Sequence, residues 1–223
     1  MNTFKFITFS GVLVFLVACD SDEVTEKLET ANFGSDYYKN EYQLLNATDY
    51  ELDYHIANVK LNGEERDVAD EEYYVATIIT GSQSQNIGHE SNALRELRVY
   101  VAARNVYGPE VQRKVEVSKD KNYNLLAWQQ GEQLKLNVFK QKRDDKANAL
   151  AIRVFATQTI DVKFNNKQFM LDAGELSAFN FTEHCVDGLS VEGQRVDLCD
   201  LSFGRSYLLV AGKTGKQFMF TEG

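Results

Sequence analysis

Residues 96–104 read ELRVYVAAR, and this stretch decides the fold class. Apolar side chains stand at every second position: Leu97, Val99, Val101 and Ala103. A period of two places such residues on one face of an extended strand, because successive side chains of a strand point in opposite directions. The stretch therefore predicts a half-buried β-strand.

Two further stretches share this alternation. Val111–Val117 is apolar on one face except at Arg113, which indicates a sheet edge, and Leu134–Phe139 alternates apolar and polar residues. Glu90–Arg98 is the best helical candidate, but it runs directly into the strand pattern and is interpreted as a loop. Turn residues recur at Asn62-Gly63, Gly108-Pro109, Asp120–Asn122, Gln130-Gly131, Asn165-Asn166 and Thr214-Gly215. Many short strands separated by frequent turns predict an all-β sandwich fold.

The chain also repeats itself in a fixed order. The matching segments are Leu44–Thr48 with Arg153–Thr157, Leu52–Tyr54 with Ile160–Val162, and Asn122–Ala127 with Ser206–Ala211. This order predicts two domains of one design, residues 41–143 and 144–223, divided within the charged turn Gln141–Lys146. The first copy is longer, and we expect the additional residues to form a strand at Tyr73–Thr80 and a polar loop at Gly81–Asn92.

These segments carry a family resemblance. The first copy contains Asn46-Ala47-Thr48, Leu52-Asp53-Tyr54 and Asn62-Gly63, and the second contains Ala156-Thr157, Ile160-Asp161-Val162 and Gly204-Arg205-Ser206-Tyr207. They resemble the domain of unknown function 4397 family, small immunoglobulin-like repeats of bacterial envelope and secreted proteins. The resemblance implies two tandem immunoglobulin-like β-sandwich domains and implies no activity.

The N-terminus is typical of a signal peptide, residues 1–18. Lys5 precedes an apolar run, Phe6–Val17, that is shorter than the roughly 18 residues needed to cross a bilayer. The sequence Leu16-Val17-Ala18-Cys19 then resembles the lipobox of bacterial lipoproteins. The resemblance implies that Cys19 is acylated with a diacylglyceryl group and becomes the first residue of the mature protein. An ordinary secreted protein, with a cysteine there by chance, is the alternative.

Residues 19–40 are acidic and poor in large apolar groups, so we interpret them as a tether between the lipid anchor and the domains. The expected location is the periplasmic side of a bacterial membrane. Asp20 resembles an inner-membrane retention signal and slightly favours the inner membrane, while the outer membrane stays open. Lys+Arg number 24 against 33 Asp+Glu, and this acidity argues against nucleic acid as a partner.

Cysteine usage fits an oxidising compartment. With Cys19 acylated, only Cys185 and Cys199 remain, and such a pair outside the cytoplasm predicts a disulfide. Zinc binding is the alternative, but a zinc site needs more ligands than His184 beside this pair provides. We therefore expect no metal and no cofactor.

Tyrosines are dense near the start of the mature chain, and they form the candidate binding surface: Tyr37, Tyr38, Tyr50, Tyr54, Tyr73 and Tyr74. Tyrosine suits protein and sugar interfaces because it combines a flat apolar ring with a polar tip. Ordinary packing within a sheet is the alternative.

Two groups of acidic residues are interpreted as structural and not as binding sites. Asp53 and Asp161 recur at strand starts, and the cluster of Asp67, Asp70, Glu71 and Glu72 lacks the glycine of a calcium loop.

No sequence motif of a hydrolase or a phosphate-binding loop is present. We therefore expect no catalytic residues and predict a non-catalytic, membrane-anchored binding or scaffolding module with a protein or glycan partner in the cell envelope. The alternative is a glycan or small-ligand binder that uses the tyrosine-rich first domain. An unrecognised envelope hydrolase is a third possibility.

Overall fold

The computed structural model describes residues 38–64, 66–80, 84–104, 107–119 and 121–222. Within these ranges the chain is β-structure apart from one short 3-10 helix, Glu71–Tyr73. The strands are β1 Tyr38–Ala47, β2 Leu52–Asn58, β3 Tyr74–Ile78, β4 Gln85–Ser91, β5 Glu96–Ala103, β6 Glu110–Glu116, β7 Tyr123–Gln130, β8 Gln133–Lys140, β9 Leu150–Ala156, β10 Ile160–Phe164, β11 Lys167–Leu171, β12 Asn180–Thr182, β13 Leu189–Val191, β14 Gln194–Arg195, β15 Arg205–Gly212 and β16 Gly215–Thr221. The all-β prediction is confirmed.

The strands form two sandwiches of identical topology. The first pairs sheet β4-β1-β7-β8 with sheet β3-β2-β5-β6, and the second pairs β12-β9-β15-β16 with β11-β10-β13-β14. Neighbouring strands are antiparallel except β1 with β7 and β9 with β15, which are parallel. The prediction of two tandem β-sandwich domains is therefore confirmed.

Each sandwich has its own apolar core between its two sheets. In the first, Leu97, Val99 and Val101 of β5 are buried and face Leu125 and Leu136 of the opposite sheet. The second core has the same design, with buried residues from β9, β10, β13 and β15. The alternation in residues 96–104 thus produces the predicted strand, and its apolar face lies in the core.

A shared hydrogen bond marks the repeat. The backbone N–H of Ser118 donates a hydrogen bond to the Tyr123 hydroxyl at 2.7 Å. The backbone N–H of Ser202 donates in the same way to the Tyr207 hydroxyl at 2.9 Å. Tyr123 is the first residue of β7, and Tyr207 is the third residue of the equivalent strand β15. This is the tyrosine corner found in immunoglobulin-like sandwiches, and it fixes the loop before the strand.

Two details of the predicted repeat are wrong. Leu44 was aligned with Arg153, but Leu44 lies in the first core and pairs with Leu125, whereas Val154 occupies that place in the second sandwich. A slip of one residue exchanges the two faces of a strand, so the correct register follows from which side chains are buried.

The strand predicted at Tyr73–Thr80 is present as β3 but is not an addition to the first copy, and the polar loop predicted at Gly81–Asn92 is wrong over Gln85–Ser91. The strand β3 has a counterpart in β11, and Gln85–Ser91 is not loop but the strand β4, the counterpart of β12. Its mainly polar sequence hides it, because β4 lies at a sheet edge with most side chains exposed or half-buried. The clearest difference in length is the connection between the second and third strands, which spans residues 59–73 in the first copy and 165–166 in the second.

Cys185 and Cys199 form the predicted disulfide. It joins the β12–β13 loop to the connection that follows β14. The backbone N–H of Leu198 donates to the carbonyl oxygen of Cys185 at 2.9 Å, which adds a second link between the same two segments.

The two sandwiches pack against each other through sheets β4-β1-β7-β8 and β12-β9-β15-β16. A third apolar cluster lies between these sheets: Leu45, Ala47, Leu126, Trp128, Phe155, Leu208, Val210 and Phe220. The Phe155 ring lies 5.6 Å from Trp128 and 6.3 Å from Phe139. Asn137 also donates to the carbonyl oxygen of Gly174 across the boundary, at 3.2 Å. The apolar outer faces of these sheets thus join the two domains.

Strand direction alternates along the chain, so the eight strands of each sandwich bring its two ends to the same side. β1 begins at Tyr38, within the stretch predicted as tether, and β8 ends at Lys140. The charged turn Gln141–Lys146 lies in the connection from β8 to β9. The residues predicted as a signal peptide, together with Cys19, Asp20 and Tyr37, lie outside the described residues.

Candidate functional site

The outer face of sheet β3-β2-β5-β6 carries the best-formed surface cluster of the first sandwich. Because Tyr54 points into the core, its neighbour His55 points outward, and the register sets His55 opposite both Tyr74 of β3 and Tyr100 of β5. We call this surface the tyrosine face, defined by His55, Tyr74 and Tyr100 with a polar rim of Asp53, Thr77, Arg104 and Glu110.

The His55 ring is held between the two tyrosines. Its centroid lies 5.7 Å from Tyr74 and 5.5 Å from Tyr100, with interplanar angles of 79° and 77°. Nδ1 of His55 lies 3.1 Å from the carbonyl oxygen of Asp70, which accepts its hydrogen bond. His55 is only 7% exposed, whereas Tyr74 is 41% exposed. His55 therefore holds the two rings in place, and the accessible surface is that of Tyr74 and of the half-buried Tyr100.

Hydrogen bonds fix the rim. Tyr74 donates to Thr77 Oγ1 at 2.9 Å, Thr77 donates to Asp53, and Arg104 donates to Thr77 Oγ1 at 3.1 Å. The Tyr100 hydroxyl donates to the Glu110 carboxylate. Burial, together with that carboxylate, raises the pKa of Tyr100 to about 12, so the hydroxyl remains a donor at neutral pH. Both rings are thus oriented before any ligand arrives.

Six tyrosines were predicted to form one surface, and the structure separates the five that it describes. Tyr54 is fully buried and donates to the carbonyl oxygen of Leu45 at 2.7 Å, so its assignment to a surface is wrong. Tyr50 packs partly buried against the core, and the Tyr38 ring lies 5.6 Å from the Arg95 guanidinium. Tyr73 is half-buried beside Arg66, which donates to its hydroxyl at 3.1 Å. Of the five that the structure describes, only Tyr74 belongs to the tyrosine face.

Tyr100 was missed at the level of sequence, although a signal for it existed. The alternation in residues 96–104 places Tyr100 on the face opposite to Val99 and Val101. Its partnership with His55 needed the strand pairing, which the sequence does not provide.

The three histidines lie in different parts of the fold. His55 is on the outer face of β2, His89 is on β4 of the other sheet, and His184 is in the disulfide-bonded loop of the second sandwich. Within the described ranges, no group of three or more His, Cys, Asp or Glu side chains is arranged to hold a metal ion.

Asp53 and Asp161 make different hydrogen bonds. The Asp53 carboxylate accepts a hydrogen bond from the Thr77 hydroxyl, whereas the backbone N–H of Asp161 donates to the Glu192 carboxylate. The two aspartates thus differ in surroundings.

Comparison with known proteins adds no relative. No model of a protein family matches the chain, and no curated protein matches it. In the part of the chain that the structure covers, no helix has the length and apolar character to cross a membrane.

Proposed function

We propose that this protein is a non-catalytic lipoprotein of the bacterial cell envelope that acts as a binding or scaffolding module, with the tyrosine face as its recognition surface. The observation that carries the proposal is the pair of oriented, accessible rings of Tyr74 and Tyr100 around His55. Rings fixed in advance lose little conformational entropy on binding, which favours recognition.

The packing of the two sandwiches supports this role. The apolar cluster around Trp128 and Phe155 occupies the outer faces of sheets β4-β1-β7-β8 and β12-β9-β15-β16. The tyrosine face lies on the other sheet of the first sandwich and remains outside this contact. A rigid scaffold keeps binding residues in place, as the immunoglobulin sandwich does for its binding loops.

Attachment through Cys19 is the second part of the proposal, and the lipobox-like sequence supports it. In this proposal the acidic residues 20–36 serve as the tether. A flexible chain of that length has a reach of about 20–25 Å, which would keep the sandwiches close to the membrane. We propose the periplasmic side, with the inner membrane favoured by Asp20 over the outer membrane. We also propose that the chain belongs to the domain of unknown function 4397 family, a proposal that the repeated sequence segments support.

Crosslinking in living cells, followed by pull-down and mass spectrometry, tests the proposal. We expect the wild type to capture a discrete partner and Tyr74→Ala/Tyr100→Ala to lose it. Tyr107→Ala is the matched control, because Tyr107 is exposed but lies in the β5–β6 loop, off this face. Cys19→Ala should move the protein from the membrane fraction to the soluble fraction. Retention of the partner by the double variant would contradict the tyrosine face as the recognition surface.

Glycan binding is the second candidate function. Exposed tyrosine rings beside carboxylate and guanidinium groups suit sugars, which offer apolar ring faces and hydroxyl groups together. A glycan array probed with the full-length chain tests it. The expected result is a discrete set of bound glycans that is lost in Tyr74→Ala and kept in Tyr107→Ala. Binding that survives Tyr74→Ala would contradict this candidate.

A further inference from the structure

The second sandwich contains a cleft that none of the predicted site residues defines. It has a volume of about 830 Å³ and opens between β10, β13 and the segment that leads into β9. Its lining includes Lys146, Lys163, Asn166, Phe181, Ser190 and Arg195. Ligand clefts commonly have volumes of about 300–1,000 Å³, so this one is large enough for a small ligand.

The wall of the cleft is fixed by several independent links. The disulfide holds Cys185, and Thr182 donates to Asn165 Oδ1 at 3.2 Å while accepting the backbone N–H of His184 at 3.0 Å. The backbone N–H of Asn165 donates to the carbonyl oxygen of Gly188 at 2.9 Å. A Cβ atom at Gly188 would lie 2.2 Å from Thr182 Oγ1, so only glycine fits there. The cleft is therefore formed without a ligand.

Cationic groups reach the cleft from three segments. Lys163 lies on β10, and its exposed side chain lines the cleft. The Lys146 ammonium lies 3.3 Å from the centroid of the Phe181 ring. Arg195 pairs with Asp187 at 3.0 Å, but both side chains are largely exposed, so this ion pair is weak and open to competition. These cations gather at one place on a chain whose formal net charge is −9.

The remaining lining selects the class of anion. Asn166 and Ser190 offer amide and hydroxyl groups that match hydroxyl-rich ligands. Glu183 and Asp187 also line the cleft, and their carboxylates repel a ligand that carries many negative charges. A purely apolar ligand would bury charged groups without partners, which is costly.

We propose that this cleft binds an anionic saccharide, a sugar with a single carboxylate or phosphate group. The acidic group pairs with Lys163 and Lys146, and the sugar hydroxyls bond to Asn166 and Ser190. The site is separate from the tyrosine face and does not depend on the function proposed for that face.

Isothermal titration calorimetry on the purified full-length chain tests the proposal. The probes are glucuronate and glucose 6-phosphate, with glucose and inorganic phosphate, the two halves of glucose 6-phosphate, tested separately. We expect at least one of the two anionic sugars to bind, and each half alone to bind at least about tenfold more weakly. Lys163→Gln should lower the affinity about tenfold, the loss expected for one charge-assisted hydrogen bond. Lys213→Gln, at the exposed β15–β16 turn, should leave the affinity unchanged.

Three outcomes would overturn the proposal. If neither anionic sugar binds, the cleft is not the proposed site. If glucose or inorganic phosphate binds as tightly as the anionic sugars, the proposed class of ligand is wrong. Unchanged affinity in Lys163→Gln would place the ligand elsewhere. Tyr74→Ala, which alters only the tyrosine face, should not change the affinity for these probes, so failure here and failure of the proposed function are distinguishable.

Discussion

Arg153 and Glu222 form an ion pair that is almost closed to solvent, with side-chain exposures of 5% and 0%. The guanidinium lies 5.5 Å from the Phe139 ring and 5.2 Å from the Phe179 ring. From the first sandwich, Asn124 donates to the same carboxylate at 3.0 Å. Burial raises the pKa of Glu222, and Arg153 and Asn124 oppose that rise. The pair therefore belongs to the second sandwich but joins it to the first.

Arg153→Met should destabilise the protein by about 3–5 kcal/mol, because it leaves the Glu222 carboxylate buried without its cation. The double variant Arg153→Met/Glu222→Leu should recover most of this loss, since apolar replacement of both partners leaves no unpaired charge. Urea unfolding followed by the fluorescence of Trp128, the single tryptophan, measures both free energies.

Lys114→Gln is the control for the ion pair. Lys114 pairs with Glu96 at 2.7 Å, but their side chains are 49% and 26% exposed, so the expected cost is below about 1 kcal/mol. An Arg153→Met cost as small as that of Lys114→Gln would show that the Glu222 carboxylate reaches water.

Tyr123→Phe and Tyr207→Phe should each cost about 1–3 kcal/mol, because each leaves a loop N–H, of Ser118 or Ser202, without its acceptor. Tyr107→Phe should cost nothing measurable, since that side chain is exposed. Thermal unfolding of the three variants gives the comparison. Equal melting temperatures would contradict a structural role for the two corners.

Cys185→Ala/Cys199→Ala should destabilise the second sandwich by about 3 kcal/mol in the chain-entropy estimate for a loop of this length. Treatment of the wild type with a reductant should give a similar loss, and the double variant should not respond to the reductant. Unfolding curves with and without dithiothreitol supply the measurement. A wild type that is insensitive to a reductant shown by mass spectrometry to open the bond would contradict the expectation.

His89 should make stability depend on pH. Burial lowers the pKa of His89 below its ordinary value of 6.5, and its Nε2 has no hydrogen-bond partner within the described residues. The unfolded chain therefore takes up the proton more readily, so this stability is present above pH 6.5 and is lost as the pH falls below it. The free energy of unfolding of His89→Gln, measured between pH 7.5 and 5, should fall less than that of the wild type.

His184→Gln is the control for this pH dependence, because His184 is exposed. It should retain the decline seen in the wild type. If His89→Gln and the wild type lose the same free energy of unfolding on acidification, His89 does not cause the dependence.

Alternation and repetition made much of the fold predictable. Leu97, Val99 and Val101 face a core on one side and a polar surface on the other, so a period of two appears in the sequence. The pair Cys185 and Cys199 was equally readable, because an oxidised pair needs no knowledge of the topology. The alternation is visible within a single strand, and the disulfide requires only a pair of cysteines, so neither prediction depends on the strand order.

The contact between the sandwiches was harder to predict. β9 is buried at every position, because one face lies in the core and the other lies against the first sandwich. Such strands are continuous apolar runs without alternation, and Leu150–Ala156 is one of them, with Arg153 as its single charge. That unbroken run was the available signal. The tyrosine face could not be predicted without the strand pairing, because the register of β2 and β5 brings His55 and Tyr100 together.

An even number of strands in each sandwich has a consequence for how such chains can be lengthened. Since Tyr38 and Lys140 lie at the same end of the first sandwich, a second unit can be appended there without threading the chain across the body of the first. Gene duplication then yields units side by side, and their neighbouring sheets can evolve into a shared interface. A designed third copy could be joined in the same way, provided that its linker preserves the buried carboxylate of Glu222.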